Sequence, residues 1–190
     1  MHPPLQRPSS RVRLSPRWIL GGNEIGCLGA VAIAEAIKQS KSLATVNLSW
    51  NYIYDKGATA IAEATKQSNS LVEVNLGSNK IGAFGAIAIA EAIKENKFLA
   101  CVDLSCNSIG DIGVAAIAEA IKQSKSLTSL CVFSNSIGDD GAVAISEAIK
   151  QNKSLVSLNL LSNPIGRIGK EAIAEASKQT TLSHQYGGFL

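Results

Sequence analysis

The strongest constraint on this chain is a 28-residue period that begins at Leu43, Leu71, Leu99, Leu127 and Leu155, with no residue gained or lost between copies. The stretch Leu99 to Ser126, LACVDLSCNSIGDIGVAAIAEAIKQSKS, stands for the rest. Each copy is too short to bury its own apolar residues, so it gains a core only by stacking on its neighbours. A strict period therefore points to a solenoid.

Within the unit, Val102 and Leu104 are two residues apart and share one face of a short strand, with Cys101, Asp103 and Ser105 on the other. Ser-Ile-Gly marks a turn, and Asp111 is expected to cap the helix that follows. Ala116, Ile117, Ala120 and Ile121 then form one apolar helical stripe, opposite Glu119, Lys122 and Gln123. Strands pair at about 4.8 Å and helices at about 8–10 Å, so the stack is expected to curve, strands inside and helices outside.

Asn23, Asn51, Asn79, Asn107, Asn135 and Asn163 recur where the strand ends. An amide carries both donors and an acceptor, so this row is read as backbone support for the turns. Three residues on lie Gly26, Gly82, Gly110, Gly138 and Gly166, with Tyr54 in the second unit, where a differently shaped turn is expected. Glu35, Glu63, Glu91, Glu119, Glu147 and Glu175 form a row on the outer helices, each three residues before a lysine. That spacing suits a solvated helix face.

The strand texts LATVNLSWN, LVEVNLGSN, LACVDLSCN, LTSLCVFSN and LVSLNLLSN are followed by variations on I-G-x-x-G-A-x-A-I-A-E-A-I-K. From about Trp18 to Gln179 the chain resembles leucine-rich repeats of the ribonuclease-inhibitor-like subclass, and within it the repeat region of NOD-like receptors. The resemblance implies a right-handed α/β leucine-rich repeat solenoid, a curved horseshoe segment with an inner parallel sheet and outer helices. It also implies protein recognition on the inner strand face. No G-x-x-x-x-G-K-[ST] occurs in the sequence, so nucleotide switching does not carry over.

The organisation expected is a basic, proline- and arginine-rich lead-in over residues 1–17, disordered; a repeat domain over 18–179, with a degraded first unit in which Trp18 covers the open end of the core; and a tail over 180–190. The net charge of +3 comes from Arg7, Arg11, Arg13 and Arg17, four cations in an acid-free stretch that leave −1 for the rest, so the basic balance is no argument for nucleic acid. No apolar run approaches the ~18 residues of a membrane span, and residues 1–17 have no apolar core of a secretion signal. A cytoplasmic location and no membrane partner are expected. Cys27, Cys101, Cys106 and Cys131 show no C-x-x-C and no histidine pair, so free thiols are expected rather than a metal site, and no cofactor is implied.

The inner face varies most, and the residues expected to contact a protein partner are Asn47, Trp50, Glu73, Asn75, Asp103, Cys131, Phe133, Asn159 and Leu161. Trp50, Phe133 and Leu161 are large and apolar where packing does not require it. For Trp50 two readings stay open: a binding side chain, or a local cover folded onto Tyr52 or Tyr54. No histidine lies within the repeats, and no catalytic constellation is found, so the chain is read as a non-enzymatic protein-binding module. Alternatives are a structural solenoid that self-associates through uncapped ends, giving a homo-oligomer; a fragment of a larger NOD-like receptor-type array; and, on resemblance alone, a GTPase-activating protein of the Ran type.

Overall fold

The computed structural model describes residues 16–178 and the backbone of 183–185; the rest of the lead-in and tail lies outside the described residues. Strands and helices alternate: β1 (Arg17–Ile19), α1 (Gly26–Gln39), β2 (Thr45–Asn47), α2 (Tyr54–Gln67), β3 (Glu73–Asn75), α3 (Ala83–Glu95), β4 (Cys101–Asp103), α4 (Gly110–Gln123), β5 (Ser129–Cys131), α5 (Asp139–Gln151), β6 (Ser157–Asn159), α6 (Arg167–Ser177) and β7 (Ser183–Gln185). All strands pair in parallel in one sheet, in chain order from β1 to β7. From β1 to β6 the register repeats the 28-residue period, as in Val46 beside Val74 and Val74 beside Val102. Each helix packs against its chain neighbours, α1 on α2 through to α5 on α6. This is a leucine-rich-repeat-type α/β solenoid. Among the described residues no helix is long and apolar enough to cross a membrane.

The core runs the length of the stack. Leu99, Val102, Leu104 and Ile109 from the strand side meet Val114, Ile117, Ala118, Ala120 and Ile121 of α4, all buried. Alanine at the helix contacts lets adjacent helices approach, and glycine does so at the first turn. A Cβ on Gly113 would stand 2.9 Å from the Ala86 Cβ and 3.2 Å from the Ala83 Cα. At the N-terminal end Trp18, Leu20, Ile25 and Ile33 are half-buried against this core.

The asparagine row supports the backbone as its chemistry suggests. Asn79 is fully buried. Its Nδ2 donates to the carbonyls of Leu48, Leu76 and Gly77 at 2.9–3.1 Å. Its Oδ1 accepts the N–H groups of Asn51 and Ile53 at 3.0 and 3.3 Å. Asn51 and Asn107 repeat the arrangement one unit away. One side chain thus satisfies five groups that the turn would otherwise leave unpaired.

Asp111 does not cap its own helix. α4 starts one residue earlier, at Gly110, after Ile109, and carries no side-chain cap. The Asp111 carboxylate reaches into the next repeat, where Oδ1 accepts the N–H groups of Gly138 at 2.7 Å and Gly141 at 3.1 Å. Asp55 does the same for Gly82 and Gly85 at 2.6 and 3.0 Å. Asp139 receives Gly169 N–H at 2.8 Å. Each aspartate sits in the first turn of one helix and caps the first turn of the following one.

These aspartates sort the turns into two kinds. Where the preceding repeat supplies one, Gly82, Gly138 and Gly166 are extended, with φ of −100°, −98° and −82°. Elsewhere the same position is left-handed: Gly26 at +65°, Tyr54 at +56°, Gly110 at +63°. Its N–H then points forward, to the carbonyls of Asn51, Asn79 and Asn135 at 2.8–2.9 Å. The turn at Tyr54, expected to be the exception, has the backbone of Gly26 and Gly110. The preceding repeat's aspartate, not the identity of the turn residue, decides the form.

Candidate functional site

The inner strand face is built from columns 28 residues apart. Asn47, Asn75, Asp103, Cys131 and Asn159 stand side by side on β2 to β6, each half-buried. Four of them brace the turn that follows. Oδ1 of Asn47, Asn75, Asp103 and Asn159 accepts the N–H two residues on, from Ser49, Gly77, Ser105 and Leu161, at 2.9–3.0 Å. An oxygen at this position thus has a structural role in addition to facing outward.

Cys131 is the departure. It is a half-buried thiol one strand from Asp103, with which it pairs in register. Burial pushes its pKa up, the Phe133 N–H opposes this, and the Asp103 charge adds to the rise. Cys101 is half-buried one strand away and Cys106 is exposed. All four cysteines are free thiols.

Charge on this face is one-sided. From β2 to β6 its columns carry Glu73 and Asp103 and no lysine or arginine. Glu73 lies at the strand-entry end, where Oε2 accepts the Thr45 hydroxyl at 3.3 Å. Phe133 and Leu161 occupy the same position of successive repeats, both half-buried; beside them the Ser134 N–H donates to the Leu161 carbonyl at 3.0 Å.

Trp50 lies off the strand, at the exit end. It is 68% exposed. Its backbone is left-handed, φ +59°, a position that Gly22, Ser78, Cys106, Ser134 and Ser162 fill in the other repeats. Tyr52 and Tyr54 follow at +52° and +56°. Three alternating aromatic residues in a region that disfavours side chains are costly, by about 1–3 kcal/mol each. Their rings stand in solvent rather than in the core. The Lys80 ammonium sits 4.8 Å from the Tyr52 ring centroid and 5.8 Å from that of Tyr54. Tyr52, Tyr54 and Lys80 were not among the residues expected from sequence to belong to the face. The signal for the tyrosines is the aromatic run W-N-Y-I-Y, whose first and last positions hold glycine, serine or cysteine in the other units.

Five segments, residues 39–62, 67–90, 95–118, 123–146 and 151–174, match the leucine-rich repeat family model. The chain belongs to the leucine-rich repeat family. Among solved structures, this leucine-rich repeat solenoid is similar to the actin-binding site 2 of leiomodin-1, with 22% identity and a TM-score of 0.65, over 77% of this chain and 86% of that one. It is also similar to the tropomodulin C-terminal domain of Caenorhabditis elegans, with 16% identity and a TM-score of 0.62, over 79% of this chain and 92% of that one. At these identities the likeness is one of fold. Comparison with curated protein sequences gives no match.

Proposed function

We propose that the chain is a non-enzymatic recognition module that holds a protein partner on the inner strand face and its exit edge. The contact residues are Asn47, Trp50, Glu73, Asn75, Asp103, Cys131, Phe133, Asn159 and Leu161, joined by Tyr52 and Tyr54. The observation that carries this is Trp50. A large aromatic ring stands in solvent on a left-handed backbone that five other repeats give to glycine, serine or cysteine. Stability would favour the small residue, so the ring has another use, and exposed aromatics of this kind anchor interfaces. Leucine-rich repeat proteins are typically interaction scaffolds, which agrees with this reading.

The recognition domain is assigned to residues 18–179, between the basic lead-in and the tail, in a cytoplasmic protein. The G-A-x-A-I-A-E-A-I-K text of the helices supports a place near the ribonuclease-inhibitor-like repeats of NOD-like receptors. The similar leiomodin-1 structure is an actin-binding site, which makes actin the first protein to try.

The test is photo-crosslinking. A reactive side chain is placed at Ser105 on the inner face or at Glu119 on the outer helices. A partner taken from the first position only, and lost in a Trp50→Ser, Asp103→Asn, Phe133→Ser variant that stays folded, is the expected result. Trp50→Ser copies Ser78 and Ser134, so it leaves the backbone intact. Equal crosslinking from Glu119, or full retention by the variant, refutes the inner-face reading.

A further inference from the structure

A second surface runs along the entry rim of the helices. At one position of the repeat, in the first turn of α1 to α6, stand Leu28, Lys56, Phe84, Ile112, Asp140 and Ile168. The four apolar members are 72%, 78%, 73% and 61% exposed, in chain order, and Phe84 is the most exposed large hydrophobic side chain among the described residues. Lys56 and Asp140 are exposed too, and neither makes an ion pair among the described residues. The lysines further along the helices differ: Lys38, Lys66, Lys94 and Lys122 each hold the glutamate three residues before them.

The order of the row is apolar, cation, apolar, apolar, anion, apolar. Read backwards it is the same, with the charges exchanged. Laid antiparallel on itself, the row sets Leu28 against Ile168, Lys56 against Asp140 and Phe84 against Ile112. That is the condition for a two-fold interface, in which residue i meets j and j meets i. We propose that this rim binds a second copy of the chain, with the axis between α3 and α4. Phe84 and Ile112 of both copies then form an apolar centre, widened by the partly exposed Ile87 one turn below Phe84. Two Lys56–Asp140 pairs flank that centre, and Leu28 and Ile168 close the ends. This surface is distinct from the strand columns and from the ends of the stack; it borders the exit edge at the first turn of α2, where Tyr54 lies two residues before Lys56.

The test uses the full chain and a measurement of mass against concentration, by sedimentation or light scattering. The wild type is expected to be a reversible dimer, and Phe84→Glu with Ile112→Glu a monomer; both sites are exposed, and circular dichroism confirms folding. Lys56→Asp alone and Asp140→Lys alone each set like charges face to face, weakening the dimer about 10-fold or more. Mixing those two single variants restores the dimer, because each position 56 then faces the opposite charge at position 140 of the other protein. A wild type that stays monomeric at hundreds of micromolar overturns the proposal. So does a dimer that survives Phe84→Glu with Ile112→Glu, or a mixture of the two charge variants that associates no better than either alone.

Discussion

Replacing Asp111 tests the capping that passes from one repeat to the next. Its Oδ1 accepts two N–H groups at the start of α5, from Gly138 at 2.7 Å and Gly141 at 3.1 Å. Losing a helix cap costs about 0.5–2 kcal/mol, and a carboxylate at a helix N-terminus adds about 0.3–1 kcal/mol. A fixed backbone would therefore lose about 1–3 kcal/mol on Asp111→Ala. The structure contains a way to recover part of this. Gly110, which has no aspartate before it, is left-handed and donates to the Asn135 carbonyl at 2.9 Å. Gly138 can follow, since glycine enters that region at little cost, and its N–H would then find the carbonyl of Asn163. The expected net loss is about 1–2 kcal/mol, a fall in Tm of roughly 2–8 °C for a chain of this size. Asp111→Asn keeps an oxygen and loses the charge, so it should fall between the variant and the wild type. Urea unfolding gives the energy, and hydrogen exchange at the Gly138 and Gly141 amides gives the location. Wild-type protection of both amides in Asp111→Ala, with stability unchanged, refutes the account.

The converse variant, Ala83→Asp, supplies the missing carboxylate to Gly110 and Gly113. It should turn Gly110 from φ +63° to the extended form and stabilise the chain by about 1 kcal/mol; a crystal structure with Gly110 still left-handed counts against it. Asn79→Ala strands five buried groups and should cost at least about 3 kcal/mol, read by urea unfolding. Cys131, with its pKa raised by burial and by Asp103, stays protonated above the usual thiol range. At pH 8 it should alkylate more slowly than exposed Cys106, and Asp103→Asn should speed it by removing the charge; peptide mass spectrometry after iodoacetamide treatment decides. Faster labelling of Cys131 than Cys106 contradicts the assignment.

Most of the architecture was legible in the sequence because period, strand alternation and helical spacing all repeat 28 residues apart. The asparagine row was legible for the same reason: an amide at a strand exit has an evident structural use. Asp111 was assigned to its own helix because capping rules describe neighbours along the chain. Here the acceptor and the N–H groups are 27 and 30 residues apart. That pairing shows only when the position of Asp55, Asp111 and Asp139 is read against the next unit's glycine. The two readings of Trp50 could not be separated from sequence, because exposure depends on how the exit loop turns, and that loop is left-handed at three alternate residues. The rim row was also present as a column of the repeat. Its self-complementarity has meaning only once parallel helices set the six side chains in a line.

The two kinds of link between units point opposite ways along the chain. Asn79 ties its unit to the one before it, and Asp55 ties its unit to the one after it. Neither reaches past an adjacent unit. A gene encoding such a chain can lengthen or shorten by whole units through unequal recombination, because each 28-residue block engages only its adjacent blocks. What the new neighbour changes is the turn at the seam. A tandem copy of the block from Leu99 to Ser126 would place an aspartate ahead of a glycine that now lacks one, and that glycine would be drawn into the extended form. The splice would then carry its own backbone signature, readable in the protein long after the duplication.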